Sequence, residues 1–310
     1  MKKTVGGVLC LIAGLASTVA ACGDDDEDDG APASEAEIGV VATTTQVADF
    51  ARNVGGDRVE VEQLLDSGVD PHEYEPVPSD AENVAESDIV LRAGFDLDAW
   101  LDELIENAGG DRLVVDTSEG VETTTLEEDG EVEEDPHIWF DPSNVLVIID
   151  NIAAGLSEVD PEGEEFYRDN AERYKAEVIE VDQELEEIFG ACEPSELKLV
   201  TNHDSLNYLA DSYGLTVVGA VIPGLETTAE PSAGELADLI RLIEQEDVQA
   251  IFSEASVDTE IEEQVADESG AQVVAELYTD TLGPDDSPAA TYLEMMVHNA
   301  ETIVDGLGCA

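Results

Sequence analysis

Three of the four histidines lie in short patterned segments: Asp70-Pro71-His72-Glu73, Asp135-Pro136-His137-Ile138-Trp139-Phe140-Asp141 and Thr201-Asn202-His203-Asp204. A carboxylate follows in Leu277-Tyr278-Thr279-Asp280. Three imidazoles and one carboxylate are a complete ligand set for a divalent transition metal. Neutral imidazole suits a borderline ion, and one carboxylate offsets half its charge. Proline before His72 and His137 stiffens the backbone and restricts the preceding aspartate, so pre-set ligands lose less entropy on binding. Asp70, Asp135 and Asp204 are candidates to orient the imidazoles as hydrogen-bond acceptors. A single loop histidine is more often solvent-exposed or structural, and Asp280 alone is one of 76 acids. His298, beside Met295 and Met296 in a helical stretch, is read as structural.

The elements that must position these groups alternate between strand and helix, which predicts an α/β fold with mostly parallel sheets. Residues 38–42, 58–65, 89–93 and 112–116 read as strands. Helices are expected over 45–54, 79–86 and 97–107, the second with Ser79 as N-cap and Glu82 completing a capping box. Residues 118–134 read as an acidic loop rich in Thr, Glu and Gly. Asp141-Pro142 opens a helix to about Val159. Pro161 opens another to Gly190, with Phe166, Tyr174, Val178, Val181, Leu185 and Ile188 near helical spacing. A helix of about 28 residues spans roughly 40 Å, which suits a strut between two lobes. The α/β pattern then restarts, with strands over 197–201, 216–221, 250–253 and 272–275. Helices alternate with them over 204–213, 232–245, 258–269 and 287–307. The expected organisation is a leader (1–21), a tether (22–37), an N-terminal lobe (38–160), a linking helix (161–190) and a C-terminal lobe (191–310). Ligand groups in such sheets come from loops at the carboxyl ends of strands, so the four residues can converge between the lobes, two from each.

Lys2 and Lys3 precede an apolar stretch from Val5 to Ala21, and Val19-Ala20-Ala21-Cys22 resembles a bacterial lipobox. This reads as a signal peptide with lipid attached at Cys22, which places the folded part outside the cell membrane. An uncleaved anchor is the alternative. In an oxidising compartment the remaining pair, Cys192 and Cys309, is expected to form a disulfide, two free thiols being the alternative. Asp24 to Asp29 form an acidic run in a tether that cannot build a core. The net charge of −65 excludes nucleic acid and anionic lipid as partners and points to a host living in high salt or needing similar screening.

The motifs Asp70-Pro71-His72-Glu73-Tyr74-Glu75-Pro76, Asp135 to Pro142 and Asn202-His203-Asp204, with Ala229-Glu230-Pro231-Ser232 before a helix, carry a resemblance. From about Ile38 to Leu307 the chain resembles the zinc/manganese substrate-binding lipoproteins of ABC transporters, the cluster A-I periplasmic solute-binding class. That resemblance implies two α/β lobes joined by a long rigid helix, one metal in the cleft, and His72, His137, His203 and Asp280 as its ligands. It implies capture of a divalent metal and delivery to a membrane permease by a monomer. His203 and the nitrogen-rich set favour Zn2+. The hard oxygen of Asp280 and the lack of histidine in residues 118–134 keep Mn2+ as the alternative, with iron last. The competing readings are a zinc hydrolase, for which Glu254 is the base candidate, and an adhesin or surface scaffold. Four protein ligands close the shell that a catalytic zinc keeps open, so no enzyme is expected.

Overall fold

The computed structural model describes residues 38–128, 131–255 and 259–309; the leader, Cys22 and the tether lie outside the described residues. Strands β1 (Ile38–Ala42), β2 (Val59–Gln63), β3 (Ile89–Arg92) and β4 (Leu113–Asp116) form an all-parallel sheet in the order β2-β1-β3-β4. Its centre is buried on both faces: Val40, Val41, Ala42, Ile89, Val90 and Leu91 are all shielded from solvent. Continuous apolar runs are what such two-sided burial requires. The crossovers are α1 (Thr45–Gly55), α2 (Pro78–Glu86) and α3 (Leu101–Ala108).

After a hairpin of β5 (Thr125–Glu128) and β6 (Glu131–Glu134), α4 (Pro142–Val159) and α5 (Glu164–Phe189) lead into the second half. There β7 (Lys198–Thr201), α6 (Asn207–Tyr213), β8 (Thr216–Ala220), α7 (Ala233–Glu246), β9 (Ala250–Glu254), α8 (Glu260–Ser269) and β10 (Gln272–Leu277) build a second parallel sheet. Its order, β10-β9-β7-β8, repeats the first in its own chain order. The two halves thus share a topology without a sequence repeat. In both, strand order reverses between the first and third strands, and ligands gather at the carboxyl ends beside such a switch point.

Several elements depart from the sequence reading. Residues 118–134 are not wholly loop, because β5 and β6 pair antiparallel from Thr125↔Glu134 to Glu128↔Glu131. Only Leu126 and Val132 carry the alternation there, too little to stand out among the acids. Helix α2 starts at Pro78, whose fixed φ suits a first turn, and Asp80 accepts the Val77 N–H at 2.6 Å. The cap is therefore not Ser79 with Glu82. Helix α3 starts four residues later than its pattern, since Phe95 and Asp96 adopt left-handed φ values of 49° and 60°. Asp98 meanwhile accepts the Ala93 N–H at 2.6 Å and the Thr43 hydroxyl at 2.7 Å. Helix α6 is shortened similarly: Asp204 pairs with Gly224 through both backbone and carboxylate, holding the chain out of helix.

A short 3-10 turn, Pro161–Gly163, precedes α5, whose 26 residues span about 39 Å. Its buried face is Tyr167, Ala171, Tyr174, Val178, Leu185 and Phe189; Phe166, one residue off this stripe, is exposed. Tyr174 meets α1 and the last helix, α9 (Tyr292–Leu307). The ring of Phe50 packs edge-on against Tyr292 at 5.0 Å, and Asp49 accepts the Tyr174 hydroxyl and the Tyr292 N–H at 3.1 Å each. Burying three aromatics at one seam fastens the halves together. Cys192, past α5, and Cys309, past α9, are joined by a disulfide with Cα atoms 5.3 Å apart. Among the described residues no helix is long and apolar enough to cross a membrane.

Candidate metal centre

Both Asp-Pro-His segments make the same local turn. Asp70 Oδ1 accepts the His72 N–H at 2.8 Å, and Asp135 Oδ1 accepts the His137 N–H at 3.0 Å. A carboxylate bonded to the backbone two residues on is an Asx turn, and the intervening proline pre-sets it. The first turn follows β2 and the second leads into α4, whose N-cap is Asp141. His203 leaves the end of β7, at the switch point of the second sheet. Asp280 follows β10.

These four side chains meet, each offering one ligand atom within 4.8 Å of all the others. His137 Nε2 lies 3.1 Å from His203 Nε2 and 3.2 Å from Asp280 Oδ1. Asp280 Oδ2 lies 3.6 Å from His203 Nε2 and 3.9 Å from His72 Nε2. Tetrahedral ligands at zinc bond lengths stand about 3.3 Å apart, so these spacings fit one ion. His72 Nε2 and both Asp280 oxygens are buried with no hydrogen-bond partner outside the cluster. Such atoms are costly to bury unless something else satisfies them, and a cation does.

The rings are aimed unequally. Asp135 Oδ1 also takes the His137 Nδ1 at 2.7 Å, and Glu254 Oε1 sits 2.8 Å from the His203 Nδ1. A carboxylate beside Nδ1 favours the proton there and Nε2 as the ligating atom. The Glu254 carboxylate also accepts the Thr279 hydroxyl at 2.5 Å, linking His203 to the residue beside Asp280. Thr279 in turn is fixed from the first half, its carbonyl accepting Trp139 Nε1–H at 3.0 Å and Gln46 Nε2–H at 3.3 Å. The His72 ring makes no hydrogen bond among the described residues.

Of the three aspartates considered as orienting groups, only Asp135 reaches a ring. Asp70 holds the His72 backbone, and Asp204 holds Gly224. Glu254, considered as a hydrolytic base, instead lies against the His203 ring at 2.8 Å from Nδ1. Its position at the carboxyl end of a predicted strand was the available signal. Trp139 and Gln46 were not singled out, although Trp139 lies inside the second motif. His298 is not in the cluster; its ring lies against Tyr278.

Burial pushes His137 down, but Asp135 and then Asp280 outweigh it and raise the ring to about 10. His203 is raised likewise, burial being outweighed by Glu254 and Asp280. His72 falls to about 4 through burial, opposed by Asp280 and reinforced by the other two rings. Asp280 is held well below the carboxylate range, its burial overcome by His203 and His137. His137 thus carries a proton in the metal-free cluster near neutrality, and a divalent ion must displace it to bind.

Residues 40–306 match the family described as ZnuA, zinc-uptake complex component A periplasmic. The chain belongs to this family. It is 32% identical over 307 residues to the manganese-binding lipoprotein MntA of Halalkalibacterium halodurans, covering 99% of each. Over 317 residues it is 32% identical to the manganese ABC transporter substrate-binding lipoprotein PsaA of Streptococcus mitis, again covering 99% of each. Among solved structures it is similar to the periplasmic zinc binding protein TroA from Treponema pallidum. The TM-score there is 0.82 at 28% identity, covering 87% of this chain and 99% of that one. It is also similar to a Mn-bound periplasmic metal binding protein from Candidatus Liberibacter asiaticus, with a TM-score of 0.78 at 26% identity over the same shares. This ZnuA-family chain is therefore the metal-binding periplasmic component of an ABC transporter and not an enzyme.

Proposed function

We propose that His72, His137, His203 and Asp280 bind one divalent metal as cargo, with Zn2+ bound most tightly. The supporting observation is the convergence of three imidazole nitrogens and a carboxylate that lack outside partners in a buried cluster. Nitrogen-rich ligation favours zinc, and the general order of stabilities places Zn2+ well above Mn2+ in one site. Mn2+ is the second reading. Both oxygens of Asp280 face the cluster and can ligate together, which makes the set harder, and MntA and PsaA are named for manganese.

The lobes, residues 38–160 and 191–310 about a linker of 161–190, release the ion to a membrane permease with small motions. The long helix and the aromatic seam oppose a wide hinge. Lipid on Cys22 anchors the chain outside the cell membrane, and one chain acts alone. Competition between Zn2+ and Mn2+ for the metal-free protein at fixed pH tests the metal choice. Tighter zinc supports the first reading, and tighter manganese reverses it.

A further inference from the structure

His72 differs from the other two imidazoles in how it is held. His137 and His203 each have a carboxylate on Nδ1, whereas the His72 ring has no hydrogen bond among the described residues. Its position therefore depends on its loop. His72 also faces an open vestibule of 580 Å³ walled by Pro71, Tyr74, Trp100, Glu134, Leu225 and others. His137, His203 and Asp280 do not line that space.

The loop before His72 is fastened to the second half at three points. Ser67 Oγ donates to the Gly283 carbonyl at 3.1 Å, and the Gly68 N–H donates to Thr281 Oγ1 at 3.1 Å. These two join the His72 loop to the Asp280 loop at its base. The third joins the residues next to Pro71 and Glu226 of the vestibule wall: Thr227 Oγ1 donates to Asp70 Oδ2 at 2.5 Å, while Asp70 Oδ1 holds the His72 N–H at 2.8 Å. One carboxylate thus connects a hydroxyl between β8 and α7 to the backbone of the least tethered ligand. A hydrogen bond to a charged acceptor is stronger than a neutral one.

We propose that Thr227 is a positioning residue for metal retention: its hydroxyl clasps Asp70 across the cleft, and the clasp governs how readily His72 leaves the metal toward the vestibule. This rests on the proposed ligand set. While the clasp holds, His72 stays on the ion. When it opens, His72 can swing into the adjoining space, leaving the ion on three ligands and uncovered on the vestibule side.

The test is stopped-flow release of Zn2+ from the loaded protein into excess chelator. Thr227→Val, which keeps shape and removes the donor, is expected to release about tenfold faster. Thr227→Ser, which restores the donor, is expected to return the rate to within about twofold of wild type. The metal-free melting temperatures of all three proteins are expected to match, which separates retention from general stability. Release from Thr227→Val at the wild-type rate overturns the clasp, as does Thr227→Ser releasing as fast as Thr227→Val. Failure of the wild-type protein to bind zinc one-to-one instead overturns the ligand assignment.

Discussion

The carboxylate of Asp135 holds His137 twice, taking its backbone N–H at 3.0 Å and its ring Nδ1 at 2.7 Å through the same oxygen. The other oxygen accepts Asn207 Nδ2–H at 3.0 Å from α6, so the grip spans both halves. Asp135→Asn is expected to weaken zinc binding about 10–100-fold, the usual cost of losing a ligand's outer partner. Isothermal titration checks it, and an unchanged affinity would show that the ring is held by packing alone.

Glu254 serves His203 in the same way and also accepts the Thr279 hydroxyl. Glu254→Gln keeps the shape but removes the negative charge, so zinc affinity should fall by a similar about 10–100-fold. The fold should survive, as read by an unaltered circular dichroism spectrum.

Acid should release the metal in a defined sense. His137 and His203 have raised pKa values, so both carry protons in the metal-free protein below the ordinary histidine value of 6.5. Between pH 5.0 and 6.5 each bound ion must displace both, and affinity should rise about 100-fold per pH unit. The metal-free protein runs the other way. The His137 contribution to its stability is present in full below 6.5 and is lost as pH rises through about 10. The gain in melting temperature on loading should therefore widen with pH. A gain that is flat from pH 6 to 9 contradicts the protonation scheme.

Much of this architecture was legible in the sequence because periodicity and caps agree there. The β1 run, the Asp141-Pro142 helix start and the long α5 stand where pattern put them. Positions failed where tertiary bonds overrode local propensity. Asp98 and Asp204 look like helix residues but are bonded to neighbouring loops, so α3 and α6 begin late. The four clustered side chains were legible from their motifs. Glu254 was marked only by its place at a strand end, with the wrong role; Gln46 and the Thr227–Asp70 contact were not legible, since each joins segments far apart in the chain and carries no local signature.

The aromatic seam makes a separate stability claim. Phe50 of α1 is buried against Tyr174 of α5 and Tyr292 of α9, and Phe50→Ala should cost about 3–5 kcal/mol. Denaturant unfolding of the metal-free protein measures it. A loss below about 1 kcal/mol means that the seam is dispensable.

The acidic surface makes another. With 76 acids against 11 basic residues, self-repulsion should be relieved by salt, and the melting temperature should climb from low salt to about 1 M. A melting temperature indifferent to salt argues against a charge-strained fold.

The central claim is that one metal binds through three imidazoles and one carboxylate. X-ray absorption on the zinc-loaded protein, repeated on His137→Ala, tests it most directly. The account predicts one zinc per chain, three histidine nitrogens and carboxylate oxygen in the wild type, and loss of one imidazole with weakened binding in the variant. An oxygen-dominated shell, or an identical spectrum and affinity in His137→Ala, would contradict it.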